Sequence, residues 1–185
     1  MKKALSIFIL AVLCFSMTAC GVATISGDPV SYSNASKSFS IDLPTKEKGD
    51  WVKNKDVSRD VLDISDANDY INIQIQCLTR SQATYIATDL ATYQDYTMTN
   101  TLGELAPDME LKDAKVKVPK FATNSSTQSF TMKKGSSKIK GNLIFMESAS
   151  SYYAVMVMAI DESYDRNKSA LMDAILSMKE ITEAN

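Results

Sequence analysis

Three groups of residues in this 185-residue chain have types and spacing that could support chemistry. Five carboxylates fall within fourteen residues, and calcium needs such oxygen ligands to converge on one point; they are Asp56, Asp60, Asp63, Asp66 and Asp69. Ser137 and Lys140 have S-x-x-K spacing, in which a lysine can activate a serine. Cys77 is a candidate reactive thiol. The chain has no His, which excludes Ser-His-Asp catalysis, Cys-His catalysis and His-containing zinc sites.

The elements that must position these residues favour structural roles for all three groups. Apolar residues at 61, 62 and 64 interrupt the Asp run with strand character, so alternate Asp side chains face different directions. The S-x-x-K mechanism of penicillin-recognising enzymes needs its serine at a helix start, whereas Ser137 and Lys140 fall in a predicted strand. Cys77 shares its predicted strand face with isoleucines, which is typical of a small buried apolar residue. We therefore predict no catalytic residue, no metal site and no cofactor.

Charge and composition argue against a nucleic-acid-binding protein and favour an ordinary globular one. The net charge of −2 gives no electrostatic basis for nucleic-acid binding, which needs a clustered basic excess. Apolar residues make up 45% of the chain and charged residues 23%, as in ordinary globular proteins. The length suits a single domain.

The first twenty residues have the pattern of a bacterial export signal. Lys2 and Lys3 precede the apolar run 4–15, whose helix of about 18 Å is too short for the ~30 Å hydrocarbon core of a bilayer. The following Met17-Thr18-Ala19-Cys20-Gly21 resembles a lipobox. That resemblance implies a signal peptide over 1–19, a diacylglyceryl group on Cys20, and a lipid-anchored protein on the extracytoplasmic face of the bacterial cell membrane. The alternative is an ordinary cleaved signal in which Cys20 is incidental.

Small and turn-forming residues dominate the segment after Cys20. We predict that residues 20–36 form the lipidated cysteine and a flexible tether, which would lift the domain about 20–24 Å off the membrane. A single domain is expected over 37–185. Since Cys14 leaves with the signal and Cys20 carries the lipid, Cys77 has no partner for an intrachain disulfide.

Hydrophobic periodicity predicts seven strands and two helices in this domain. The strand candidates are 39–43, 61–64, 70–78, 114–118, 127–132, 138–146 and 152–160, with hairpin turns at 66–69, 133–137 and 148–151. One helix is expected to have Ser81 as its N-cap and to end at Gly103. The other is expected to be capped by Ser163, with Leu171, Ala174, Ile175 and Met178 as its apolar stripe. The last two strands are apolar on both faces, so helices should cover both sides of the sheet.

Three stretches of this domain resemble the PsbP-like family, which includes bacterial DcrB-type lipoproteins. They are FSIDLP before a Trp, the TYIATDLATY helix after a hairpin, and YYAVMVMAIDESY leading into a terminal helix. The resemblance implies an α+β fold, in which an antiparallel sheet of about six to seven strands carries helices on both faces. It also implies a non-catalytic extracytoplasmic accessory protein, and it transfers no functional residue.

Two functions follow as hypotheses. The first is a non-enzymatic binding or accessory domain for an envelope protein or wall polymer. The alternative is a carrier that holds a small hydrophobic ligand between sheet and helix, where Met and Tyr side chains would line an apolar pocket. An enzyme with an Asp or Glu base is a third hypothesis, but no carboxylate pair stands out on a predicted cleft.

Four lysines flank the predicted turn at Gly135, with no acid among them: Lys133, Lys134, Lys138 and Lys140. Lysines at such places commonly protect strand edges against unwanted pairing. The alternative is that they contact an anionic membrane or wall polymer, where each lysine near a charged bilayer contributes up to about 1 kcal/mol.

The lipidation hypothesis makes a direct prediction. Cys20→Ala removes the only sulfur that a lipobox enzyme could alkylate, so metabolic labelling with a radioactive fatty acid should be lost. Cys14→Ala is the matched control and should label normally. Unchanged labelling of the Cys20→Ala protein would contradict the lipoprotein assignment.

Overall fold

The computed structural model describes residues 22–46, 50–103 and 109–181. The strands are β1 (Asp28–Ser33), β2 (Phe39–Thr45), β3 (Trp51–Lys53), β4 (Val61–Asp66), β5 (Ile71–Thr79), β6 (Glu110–Asp113), β7 (Asn124–Lys134), β8 (Ser137–Glu147), β9 (Ser151–Ile160) and β10 (Lys179–Glu180). The helices are α1 (Arg80–Ala83), α2 (Leu90–Thr97), a π-helix (Met98–Leu102) and α3 (Asp161–Leu176). Residues 1–19, which are the predicted signal peptide, and Cys20 lie outside the described residues.

The described strands form two antiparallel sheets. The larger has seven strands in the order β3-β4-β5-β9-β8-β7-β6, and the smaller has the order β1-β2-β10. Strand β9 lies at the centre of the larger sheet, and its residues 151–159 are all buried. The predicted α+β class and antiparallel sheet are confirmed, with the small second sheet as an addition.

Successive side chains of β5 point to opposite faces of the larger sheet, and an apolar layer lies on each face. Ile71, Ile73, Ile75 and Cys77 face the layer that α3 and the small sheet cover, which we call the α3 face. The opposite layer lies under α1, α2 and the π-helix, with Tyr93 at its centre. Helices therefore cover both faces, as expected from the two-sided apolar character of β8 and β9.

The first helical region differs from the prediction. Ser81 is not its N-cap, because Thr79 at the end of β5 accepts the N–H of Gln82 while the Gln82 side chain accepts the N–H of Thr79. The helix stops after one turn. A second capping box at Asp89 starts α2, since the Asp89 carboxylate accepts the N–H of Thr92 at 2.9 Å. Two caps within ten residues thus replace one long helix.

The predicted strand 114–118 is wrong in position. The strand at this edge is β6, which pairs with β7 and ends at Asp113. Directly after β6, Ala114 forms two hydrogen bonds with Thr127 of β7. The backbone carbonyl of Thr127 accepts the N–H of Ala114 at 3.0 Å, and the Thr127 hydroxyl donates to the carbonyl of Ala114. The Thr127 hydroxyl thus takes the place of a backbone donor at the carbonyl of Ala114, and residues 114–118 leave the sheet.

The flexible tether predicted for 20–36 is also wrong within residues 22–33. Strand β1 pairs with β2 over six residues, and the chain before it lies on α3. The N–H of Ala23 donates to Ser163 Oγ at 3.0 Å, the N–H of Ile25 donates to Asn167 Oδ1 at 2.8 Å, and Asn167 Nδ2 donates to the carbonyl of Ala23 at 2.8 Å. We call this contact the N-terminal clamp.

Ser163 consequently has a different role from the predicted N-cap. Helix α3 begins two residues earlier at Asp161, directly after β9 and without a capping side chain. Ser163 is fully buried and holds Ala23 instead. The predicted apolar stripe is confirmed, since Leu171, Ala174, Ile175 and Met178 are all buried. No helix among the described residues is long and apolar enough to cross a membrane.

The N-terminal clamp should contribute measurably to stability. A chain that begins at Ser26 loses three hydrogen bonds and leaves Ser163 and Asn167 buried without these partners. At about 1 kcal/mol per bond this costs about 3 kcal/mol, or about 6–12 °C in Tm, relative to a chain that begins at Val22. Differential scanning calorimetry measures the difference. Equal melting temperatures would show that residues 22–25 do not stabilise the fold.

Candidate functional site

A large concave feature lies between α3 and the β6–β8 half of the sheet. This α3 cleft has a volume of about 610 Å³. Its walls are the outer side of α3, the strands β6, β7 and β8, and the segment 114–117 that leaves the sheet. The volume falls within the range of about 300–1,000 Å³ that is typical of small-molecule sites.

The α3 cleft combines apolar walls with a cationic rim. Val116, Met172 and Leu176 supply apolar surface. Five lysines and three carboxylates contribute to the lining, a net charge of +2 in a chain whose overall charge is −2; they are Lys112, Lys115, Lys117, Lys140 and Lys168, with Glu110, Asp165 and Asp173. Of the five lysines, only Lys140 forms an ion pair with a described residue.

A buried polar pair lies at the back of the α3 cleft. Asn142 is 3% exposed, and its Oδ1 accepts the hydroxyl of Tyr164, which is itself buried. Burial raises the pKa of Tyr164, so its hydroxyl stays protonated and donates. This bond ties the first turns of α3 to β8. The helix is therefore held at a fixed position beside the open edge of the sheet.

The four lysines of the predicted surface contact do not form one free patch. Lys133 is exposed at the β7–β8 turn, directly opposite Lys138 in the strand register. Lys138 pairs with Asp161 at 3.4 Å. Lys140 pairs with Asp161 and with Asp165, and these two carboxylates raise its pKa. Lys138 and Lys140 thus contact the first turn of α3, which the sequence did not reveal.

Two carboxylates of the Asp run, those of Asp63 and Asp66, hold local structure. Asp63 is buried and accepts side-chain N–H groups from Asn54 at 2.9 Å and Asn72 at 2.8 Å. Asp66 accepts the N–H of Ile71 at 2.6 Å and closes the β4–β5 turn. Within residues 22–46, 50–103 and 109–181, no group of three or more Cys, Asp or Glu side chains could hold a metal ion.

Ser137 and Lys140 both lie in β8, as predicted, and so on opposite faces of the sheet. Cys77 is 2% exposed within the apolar layer of the α3 face, and burial raises the pKa of its thiol. The buried structural role predicted for Cys77 is therefore confirmed. A thiol that stays protonated is a poor nucleophile.

A second polar cluster lies at the far end of the sheet, around Glu180 of β10. Its Oε1 accepts hydroxyls from Ser148 and Ser150, each at 2.7 Å, and from Tyr153 at 2.8 Å. Burial alone would raise the pKa of Glu180, but these hydroxyl donors outweigh it and lower the pKa. The cluster fastens β10 to the β8–β9 turn.

The fold is α+β, as predicted, and it is similar to the PsbP-like fold. Cyanobacterial PsbP from Synechocystis sp. PCC 6803 has a similar solution structure, with a TM-score of 0.56, 15% identity, and coverage of 89% of this chain and 99% of that chain. The Ran-binding protein Mog1p of Saccharomyces cerevisiae has a TM-score of 0.55, 7% identity, and coverage of 84% and 96% respectively.

A crystal structure from Bacteroides thetaiotaomicron VPI-5482 is similar over 87% of this chain, with a TM-score of 0.55 and 11% identity. This chain spans about half of that longer chain, 51% of its length. No protein-family model and no curated protein matches the sequence. At identities of 7–15%, these comparisons establish the fold alone.

The Glu180 cluster predicts a pH dependence of stability. Because the folded-state pKa lies below the ordinary value of 4.5, ionised Glu180 stabilises the fold above that value, and this contribution disappears as the pH falls through the folded-state pKa. Glu180→Gln should lower the free energy of unfolding at pH 7 by about 1 kcal/mol. Urea denaturation from pH 7 to pH 3 tests this. The difference between the two proteins should shrink towards low pH, and a constant difference would contradict a role for the charge.

Proposed function

We propose that this chain is a lipid-anchored, non-enzymatic binding domain on the extracytoplasmic face of a bacterial membrane, and that it holds a small amphiphile with an anionic group in the α3 cleft. The observation that carries the proposal is the α3 cleft itself, with apolar walls and lysines at its rim. Apolar walls favour an acyl or aromatic portion of a ligand. The lysines of the cleft that form no ion pair with a described residue favour a negative charge at the polar end of the ligand.

The α3 cleft supports the second of the two functions that the sequence left open, which is that of a ligand carrier. A closed core on both faces would favour docking of an envelope protein or wall polymer, whereas a cleft of this volume favours the ligand carrier. The anchor on Cys20 supports a membrane-derived ligand, because it keeps the domain next to lipids. A binding role without catalysis is also consistent with the described polar groups, since Cys77, Asp63 and Glu180 all hold structure.

Titration calorimetry tests this proposal with two probes that share one acyl chain. The first is lysophosphatidylglycerol, which is anionic, and the second is an uncharged monoacylglycerol, both below their micelle concentrations. The chain that begins at Val22 should bind the anionic probe more tightly. No binding of either probe, or equal affinity for both, would contradict the assigned ligand class.

Paired variants locate the site. Lys117→Gln with Lys168→Gln removes two cationic groups from the rim of the α3 cleft and should weaken binding of lysophosphatidylglycerol about fivefold. Lys55→Gln with Lys120→Gln changes the net charge equally at exposed positions outside the cleft and should leave affinity unchanged. Ser169→Trp places a large side chain in the cleft and should abolish binding. Equal weakening by both lysine pairs would indicate a general charge effect and contradict the site.

A further inference from the structure

The N-terminal clamp lies at one defined end of the domain. Ser163, which holds Ala23, is in the first turn of α3, and Asp161 in that turn pairs with Lys138 of β8. In the strand register, the end of β9 lies beside the starts of β5 and β8. The β4–β5 and β7–β8 turns are therefore at this same end. We call it the proximal end.

A small cavity independently places the N-terminal segment at the proximal end. Residues 23–26 line it together with Trp51 and with residues 66–68 of the β4–β5 turn, and its volume is about 160 Å³. Ala23 and Ile25 also pack against the apolar layer of the α3 face. Backbone bonds and apolar contacts thus both hold residues 23–25.

The linker between the clamp and Cys20 is short. Only Gly21 and Val22 separate Cys20 from Ala23. Three residue steps span at most about 11 Å even when fully extended. A flexible tether over 20–36 would have allowed about twice that reach and free rotation. The clamp removes most of this freedom.

We propose that the N-terminal clamp fixes the orientation of the domain on the bilayer, with the proximal end against the lipid headgroups and the β8–β9 turn pointing away. This inference rests on the lipid anchor at Cys20 from the proposed function. Strand β9 has ten residues, so the two ends of the domain lie about 30 Å apart. The α3 cleft then extends away from the membrane along α3, with Tyr164 and Lys140 at its end nearest the lipid.

The charges at the proximal end are mixed, so we attribute this orientation to the covalent link rather than to electrostatic attraction. Lys133 is exposed in the β7–β8 turn. Lys138 and Lys140 are paired with Asp161, and Lys140 also with Asp165. Carboxylates at Asp66 and Asp69 lie in the β4–β5 turn of the same end. An orientation set by the clamp should persist on neutral lipid and at high salt, whereas one set by lysines would not.

Energy transfer to the bilayer tests the proposal. The chain from Cys20 is coupled through the Cys20 thiol to a maleimide phospholipid in vesicles that contain a headgroup acceptor dye; Cys77 is buried and should not react. The donor dye is attached by click chemistry to an azido amino acid at Ser136 in the proximal turn or at Ala149 in the distal turn, both of which are exposed. Transfer from position 136 should be severalfold greater than from position 149, on neutral and on anionic vesicles and at low and high salt.

Two variants show whether the clamp is responsible. Asn167→Ala with Ser163→Ala removes the partners of residues 23–25, and a fifteen-residue Gly-Ser insertion between Cys20 and Gly21 keeps the clamp but lengthens the linker. Both should reduce the difference between the two donor positions, while Ser169→Ala on the outer side of α3 should preserve it. Equal transfer from positions 136 and 149 in the unmodified chain would overturn the proposal, as would a difference that disappears at high salt. Because the lipid is attached chemically, failure of cellular lipidation at Cys20 would not affect this result.

Discussion

The width of the seven-stranded sheet is the constraint on which the rest of the structure depends. Strands spaced about 4.8 Å apart give a sheet about 29 Å across, whereas one helix is only about 10 Å wide. Strand β9 is buried on both faces, so each face needs a cover. On the α3 face, the small sheet covers the β3–β5 half and α3 covers β8 and β9. The β6–β7 edge extends beyond the helix, and the α3 cleft is the space that remains.

The same arrangement connects the cleft to the N-terminal clamp. Helix α3 forms one wall of the cleft with its outer side, and its first turn holds the N-terminal segment through Ser163 and Asn167. The bond between Tyr164 and Asn142 fixes that first turn on β8. A single helix therefore both shapes the cleft and holds the N-terminal segment. In our proposal it thereby sets the ligand site and the direction of that site relative to the membrane.

Local patterns sufficed for most of the fold but not for the site. Alternation along 70–78 and the apolar character of 152–160 predicted the strands, because a strand face can be deduced from spacing alone. The clamp joins residues about 140 positions apart, and its partners Ser163 and Asn167 are polar residues with no distinctive spacing. The π-helix and strand β10 likewise had no pattern in the sequence that predicted them. The alternation of Lys115 and Lys117 around Val116 was the one local sign of a cationic rim. Because this alternation was interpreted as a strand, the rim was not predicted.

Amide NMR tests most directly whether the α3 cleft is a ligand site. The ¹⁵N-labelled chain from Val22 would be titrated with a detergent-free extract of bacterial lipids, without any assumption about the ligand. We expect chemical-shift changes confined to the cleft, at residues 112–117, at 129–131 and on the outer side of α3 from Tyr164 to Leu176. Changes centred on α2 and the π-helix, or none at all, would contradict it.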